Sequence, residues 1–211
     1  MKSKVTVDSE GTVTGNTYDK YGSTNPVVRR LMAKFHRDLD ACYEIAAPTS
    51  ILDIGCGEGV LTHEWAGRLG IGGRIVGTDL DDPLLHAQWE KRRAPNLEYR
   101  VMKGERLDFA DNEFDTATAI EVLEHVTDPE MVLSEMSRCA TRWLLVSVPR
   151  EPLWQMTNLA RGAYWSDLGN TPGHINHWSS RSFRRLLSRY GKVVELRHPF
   201  PWIMAVVQLG D

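Results

Sequence analysis

Short apolar runs alternate along the chain with amphipathic stretches of helical length, a pattern that predicts repeated strand–helix units. Thr49 to Ile54 reads as a strand entering Gly55-Cys-Gly-Glu-Gly59, and Val60 to Leu69 as the helix that follows. Arg74 to Asp79 is the second strand. A helix from about Pro83 to Arg93 comes next, with Asp82 placed to cap its free amides. Leu97 to Met102, Phe114 to Ile120 and Trp143 to Val148 complete five strands, and Pro129 to Cys139 forms the helix before the last of them. Strands separated by helix-length segments pair in parallel, so the expected class is α/β with a doubly wound, mostly parallel sheet. A helix from about Ser180 to Tyr190 then precedes two apolar runs, Val193 to Leu196 and Ile203 to Leu209, split by Pro199 and Pro201. These two add an antiparallel C-terminal hairpin and bring the sheet to seven strands. From its apolarity alone, Trp202 to Val207 fits a central strand, an edge or a dimer surface.

Two stretches break the alternation. Residues 1–25 are polar, with Tyr18 and Tyr21 just before a predicted helix from Pro26 to about Ile45. Residues 150–178 include Gly169-Asn-Thr-Pro-Gly-His-Ile-Asn-His-Trp178, too rich in turn formers for regular structure. Long loops in a compact domain usually cover a site. The 211 residues therefore divide into an N-terminal lid and helix (1–48), a core (49–148), a substrate loop (149–178) and a C-terminal helix and hairpin (179–211), all in one domain.

Composition narrows the class without naming a chemistry. With 42% hydrophobic and 25% charged residues the chain is neither collagen-like nor disordered. No apolar run nears the roughly 20 residues that cross a bilayer, so the expectation is a cytoplasmic protein without a membrane partner. Cys42, Cys56 and Cys139 are too scattered for a disulfide framework or a four-cysteine zinc site. Charge is uneven: residues 1–140 carry 16 Lys and Arg against 24 Asp and Glu, whereas residues 141–211 carry 9 against 4. The same last third holds five of the seven tryptophans, among them Trp154, Trp165 and Trp178, which suits an aromatic substrate pocket.

The strongest chemical signal is Ile51-Leu-Asp-Ile-Gly-Cys-Gly-Glu-Gly59 followed by Asp79 at the end of the next strand. Glycines at 55, 57 and 59 allow a sharp turn and close approach of a ligand to the backbone beside a helix N-terminus. An acid ending the second strand can accept hydrogen bonds from both hydroxyls of a ribose.

This run resembles the class I S-adenosylmethionine-dependent methyltransferases, whose pattern is acid-x-Gly-x-Gly-x-Gly, with Asp53 as the distinguishing acid. The likeness continues through Gly104 to Phe109, Asp111 to Asp115 and Ala119-Ile-Glu-Val-Leu-Glu-His125, and so covers residues 49–148. It implies a Rossmann-like fold and S-adenosylmethionine as cofactor. Asp53, Gly55 and Gly57 would then lie at the methionine moiety, and Asp79 with Leu80 at the ribose. Glu105 would lie near the adenine, where Lys103 replaces the acid common in relatives. Glu121 would lie beside the cofactor, and Tyr18 and Tyr21 would close over it.

Methyl transfer to oxygen needs a base for the hydroxyl proton, and histidine titrates near neutrality. His125 follows the fourth strand at the carboxyl edge, while His174 and His177 lie in the loop expected to cover that edge; His125 and His174 are the candidate bases. Were Glu121 to His125 helical, Glu121 and His125 would share a face with Glu124 alongside. With His174 and His177 these residues form a candidate site for Mg2+ or Mn2+. A similar Glu-x-x-Glu-His run occurs both in metal-using small-RNA 2'-O-methyltransferases and in metal-free quinone-pathway relatives, so the motif leaves the metal open. Arg150, Arg161, Arg181, Arg184, Arg185 and Arg189 make the last third basic, but the mildly acidic whole disfavours nucleic acid.

The resulting expectation is O-methylation of a small hydroxylated metabolite, with a sugar or glycoside first. Trp154, Trp165, His177 and Trp178 would contact it. The rivals are a metal-assisted RNA 2'-O-methyltransferase, a non-catalytic cofactor-binding partner subunit, and methylation of nitrogen or carbon.

Overall fold

The computed structural model describes residues 25–154 and 173–210, together with the backbone of two short strands, β1 (Thr6–Val7) and β2 (Val13–Thr14), which pair antiparallel. Helix α1 spans Pro26–Ala46. Asn25 caps its start by accepting from the Val27 amide at 2.9 Å, Pro26 supplies a preset φ, and Ala47 ends it in the left-handed region at φ 40°. Met32, Phe35, Leu39, Cys42, Tyr43 and Ala46 recur three or four residues apart and form its buried face.

The remaining elements are β3 (Ser50–Ile54), α2 (Val60–Leu69), β4 (Arg74–Asp79), α3 (Pro83–Trp89), β5 (Leu97–Val101), β6 (Phe114–Ile120), α4 (Pro129–Cys139), β7 (Ala140–Pro149), α5 (Ser180–Leu187), β8 (Gly191–Arg197) and β9 (Trp202–Leu209). Asp82 accepts from the Leu84 amide at 2.8 Å and caps α3, as its position in the sequence predicted. That helix stops at Trp89, one turn short of the expected Arg93. Strand β7 starts three residues before the expected Trp143, because Ala140 pairs with Phe114 across a register shift.

Seven strands form one sheet in the order β5-β4-β3-β6-β7-β9-β8, with parallel pairing from β5 to β7 and antiparallel pairing on both sides of β9. The fold is thus the Rossmann-like α/β sheet with antiparallel C-terminal strands expected from the sequence. Of the alternatives for Trp202 to Val207, the central one holds: β9 is inserted between β7 and β8, and all six residues are buried.

Strand periodicity of two divides the interior into two cores. Leu52, Ile54, Val76, Leu144, Val146, Val148, Ile203, Ala205 and Val207 face α4 and α5, where Val132, Leu133, Met136, Phe183 and Leu187 are buried. Ile51, Ile75, Leu145, Met204 and Val206 face α1 and α2, meeting Phe35, Leu39 and Trp65. Connections leave β3 and β6 toward opposite sides, so the order reverses between them. Open α/β sheets bind ligands at the carboxyl edge of such a switch point.

Candidate active site

Three glycines shape the turn after β3. Gly55, Gly57 and Gly59 take φ of 67°, 54° and 75°, and Gly59 forms the N-terminal cap of α2. Their surroundings differ. A Cβ on Gly55 would press on Val122 and one on Gly59 on the Tyr99 ring, whereas a Cβ on Gly57 would meet nothing within 4 Å. Gly57 therefore faces the open side of the turn, where a ligand can reach the backbone.

Asp79, at the end of β4, accepts from the Gly57 amide at 2.6 Å with Oδ2 and from the Leu80 amide at 2.7 Å with Oδ1. Burial raises its pKa above the usual carboxylate value, while the two amide hydrogen bonds oppose the rise. The remaining lone pairs on each oxygen leave room for two further donors. Glu105 lies half-buried in the turn after β5, next to Met102, whose amide donates to the Asp79 carbonyl at 2.9 Å.

Asp53, expected to reach the methionine moiety through the glycine turn, lies directly below that turn. It is buried beneath the turn with its carboxylate turned sideways, accepting from the Thr62 hydroxyl and the Thr118 hydroxyl, each at 2.7 Å. One carboxylate thus ties β3 to α2 and β6. Burial pushes its pKa up to about 6 against the pull of these two hydroxyls. From beneath, the carboxylate holds the turn in place.

Trp89 and Tyr99 brace the turn from outside. The Trp89 indole N–H donates to the Gly57 carbonyl at 2.8 Å, its ring stacks on Tyr99 at 5.1 Å, and the Tyr99 hydroxyl donates to the Gly59 carbonyl at 3.3 Å. Neither residue belongs to a motif, and the sequence placed them only within a helix and a strand.

The segment after β6 is a turn, not the helix that would have aligned Glu121 with His125. Glu121 sits at φ 61°, and its carboxylate accepts from the Ser147 hydroxyl at 2.9 Å. Glu124 diverges from it and joins His125 and His174, the ligand atoms of these three lying within 4.8 Å of one another. Within the described residues, the candidate cation set thus contracts to those three. His177 lies instead 3.6 Å from Glu151. Asn176 locks the arrangement by donating to the Leu123 and Val126 carbonyls at 3.0 and 2.7 Å.

A chain of rings runs from this turn to α1. His125 and His174 meet edge to face at 4.9 Å, His174 stacks on Trp154 at 5.7 Å, Trp154 tilts against Trp202 at 5.7 Å, and Trp202 meets Phe35 at 4.9 Å. Trp154 thus packs on the imidazole pair, and Trp202, read from the sequence only as an apolar strand residue, packs on Trp154. Trp178 does not: it packs on Phe183 in the core at 8% exposure, which removes it as a substrate platform. Tyr18, Tyr21 and Trp165 lie outside the described residues.

Residues 52–142 match the family model described as a methyltransferase domain. The chain is 33% identical over 165 residues to the ubiquinone/menaquinone biosynthesis C-methyltransferase UbiE of Cronobacter sakazakii, covering 75% of this chain and 64% of that protein. It is 30% identical over 151 residues to the ubiquinone biosynthesis O-methyltransferase of Pseudomonas entomophila, covering 63% of each. It therefore spans less than two thirds of the length of these curated relatives. Its fold is similar to that of magnesium protoporphyrin IX methyltransferase from Synechocystis PCC 6803 with bound SAH, with a TM-score of 0.66 and 17% identity over 90% of both chains. Sheet order, glycine turn and family match agree: residues 52–142 carry a methyltransferase domain, and the chain as a whole is similar to the class I S-adenosylmethionine-dependent methyltransferases.

Proposed function

We propose that the protein transfers a methyl group from S-adenosylmethionine to a hydroxyl of a small acceptor, with His125 as the base and His174 beside it. The observation that carries this reading is the hydrogen bond of 2.9 Å between His125 Nδ1 and the Gly173 carbonyl, with Nε2 3.9 Å from Glu124 Oε1. A carbonyl can only accept, so Nδ1 carries the hydrogen and the neutral ring keeps its lone pair on Nε2. A proton taken there makes an imidazolium whose charge the buried Glu124 carboxylate stabilises.

When bound, S-adenosylmethionine supplies the methyl group from its sulfonium. Gly57 admits it to the backbone, Asp79 and Leu80 receive the ribose, and Glu105 borders the adenine. Glu121, fixed by Ser147, stands on the β6 side of the cofactor turn, where Val122 touches Gly55. The protein's contribution is alignment of the acceptor oxygen with the methyl group and removal of one proton.

Glu124, His125 and His174 are also the residues that would hold a divalent ion and lower the pKa of the acceptor hydroxyl. Two imidazoles and a carboxylate suit Mn2+ better than Mg2+. With Trp178 in the core, the platform for a sugar or glycoside loses one of its three rings. The relatives named for ubiquinone biosynthesis favour a hydroxylated ring acceptor instead. Transfer to carbon is the second reading, favoured by the relative named as a C-methyltransferase.

The test is turnover of labelled cofactor with a panel of phenols and glycosides, with and without Mn2+, for the native chain and for His125→Asn and His174→Asn. Loss of about 100-fold or more in kcat with unchanged affinity for S-adenosylhomocysteine is expected of His125→Asn. Full activity in both variants would remove the base. Label recovered on carbon would establish the second reading.

A further inference from the structure

At the carboxyl edge of the sheet, next to the ring chain, the ends of β7 and β8 set Arg150 and His198 against one segment of backbone. Arg150 follows β7; its amide donates to the Pro201 carbonyl at 2.9 Å, and it bridges in parallel to Trp178. His198 follows β8, and its Nε2 lies 3.0 Å from the Ser180 hydroxyl in the first turn of α5. The Trp178-to-Ser180 segment thus touches Arg150 through Trp178 and His198 through Ser180. Among the described residues no carboxylate pairs with the Arg150 or His198 side chain, nor with Arg181, Arg184 or Arg185 on α5. Glu151, the nearest acid in sequence, is directed to His177.

This edge is continuous with the acceptor site. The Trp154 amide donates to the Arg150 carbonyl at 2.9 Å, and the Trp154 ring stacks on His174. One turn of backbone therefore joins the imidazole pair to Arg150. Burial and then the charge of Arg150 hold the His198 imidazole below its ordinary pKa, because a second positive charge close to the guanidinium is unfavourable. A bound anion would relieve that repulsion and accept hydrogen bonds from both side chains.

The geometry points to an anion subsite made by Arg150 and His198, with the Ser180 hydroxyl beside His198, that receives a phosphate or carboxylate group carried by the methyl acceptor. The subsite itself stands on these residues alone; only the identity of the anion's carrier rests on the methyltransferase reading. Its class of ligand is a small hydroxylated molecule with an acidic group. The exposed arginines of α5 add a field that draws such anions to the edge.

The experiment follows the His198 imidazole resonances by NMR while inorganic phosphate and, separately, acetate are added at constant ionic strength. The native chain is compared with Arg150→Gln and Arg150→Lys, and S-adenosylhomocysteine binding is measured on the same samples. A saturable shift in the native chain is expected, with a dissociation constant about fivefold weaker in Arg150→Gln and largely restored in Arg150→Lys. Saturation by phosphate alone assigns a phosphorylated acceptor, and saturation by both anions assigns a general acid-bearing one. Linear shifts, or equal affinity in Arg150→Gln, would overturn the subsite. Absence of cofactor binding would strike the methyltransferase reading and leave the anion result standing.

Discussion

Trp89 donates its indole N–H to the carbonyl of Gly57, 2.8 Å away, from the end of the helix that follows the next strand. The bond fixes the direction of a peptide whose other side is open to a ligand. In Trp89→Phe the ring still stacks on Tyr99 while the donor is gone. Affinity for S-adenosylhomocysteine should fall by about fivefold, equivalent to about 1 kcal/mol, with a small change in melting temperature. Calorimetric titration beside a thermal melt separates the two effects.

The three turn glycines should respond differently to alanine. Gly57→Ala meets open space but must hold φ 54°, so the fold should lose only about 1–2 kcal/mol while cofactor binding drops by more than an order of magnitude. Gly59→Ala drives a methyl group into the Tyr99 ring and should cost more stability than Gly57→Ala. Denaturant melts and titrations of both variants check the contrast. Equal stability losses would show that the packing around Gly59 yields freely.

Asp53 should leave a signature in the pH dependence of stability. Its folded pKa of about 6 lies above the ordinary aspartate value of 3.8, so the native state binds the proton more tightly than the unfolded chain. The resulting stabilisation is full below pH 3.8 and is lost as pH rises through 6, by about 3 kcal/mol over that window. Asp53→Asn cannot ionise, so its stability relative to the native chain should improve between pH 4 and 7. Unfolding free energies at several pH values test this. A difference that stays flat across the window would mean that the carboxylate is not held protonated.

Asn176 fastens the covering loop to the turn that carries Glu124 and His125. Asn176→Ala leaves the Leu123 and Val126 carbonyls without their donor, at a cost of about 1–3 kcal/mol. The His125–His174 geometry depends on that fastening, so kcat should fall while affinity for S-adenosylhomocysteine changes little. Steady-state kinetics beside calorimetry separates these quantities.

How much of this was legible in the sequence differs by element. Helices Val60–Leu69 and Pro129–Cys139 and strands Arg74–Asp79 and Phe114–Ile120 appear at their expected bounds, because caps or glycines flank them and their periodicity is unbroken. The insertion of β9 between β7 and β8 was not legible, since an apolar run has the same pattern wherever it pairs. At the site, Gly57 and Asp79 were readable from spacing. Thr62, Thr118, Trp89 and Tyr99 were not, because each acts across the fold on residues far away in sequence. Glu121 misled for a local reason: a four-residue spacing aligns side chains only in a helix, and a single left-handed residue turned this one away.

The position of β9 also sets an order of assembly. Strand β8 is synthesised before β9 yet, among the described residues, pairs with no strand except β9. As the chain leaves the ribosome, β8 and α5 must wait beside an incomplete sheet, and the exposed edge of β7 waits with them. The anion edge, built from the ends of β7 and β8, comes into register only when residues 202–209 enter the gap. The strands that hold the glycine turn are all synthesised before that register is set, so the two halves of the sheet edge are completed from segments far apart in the chain.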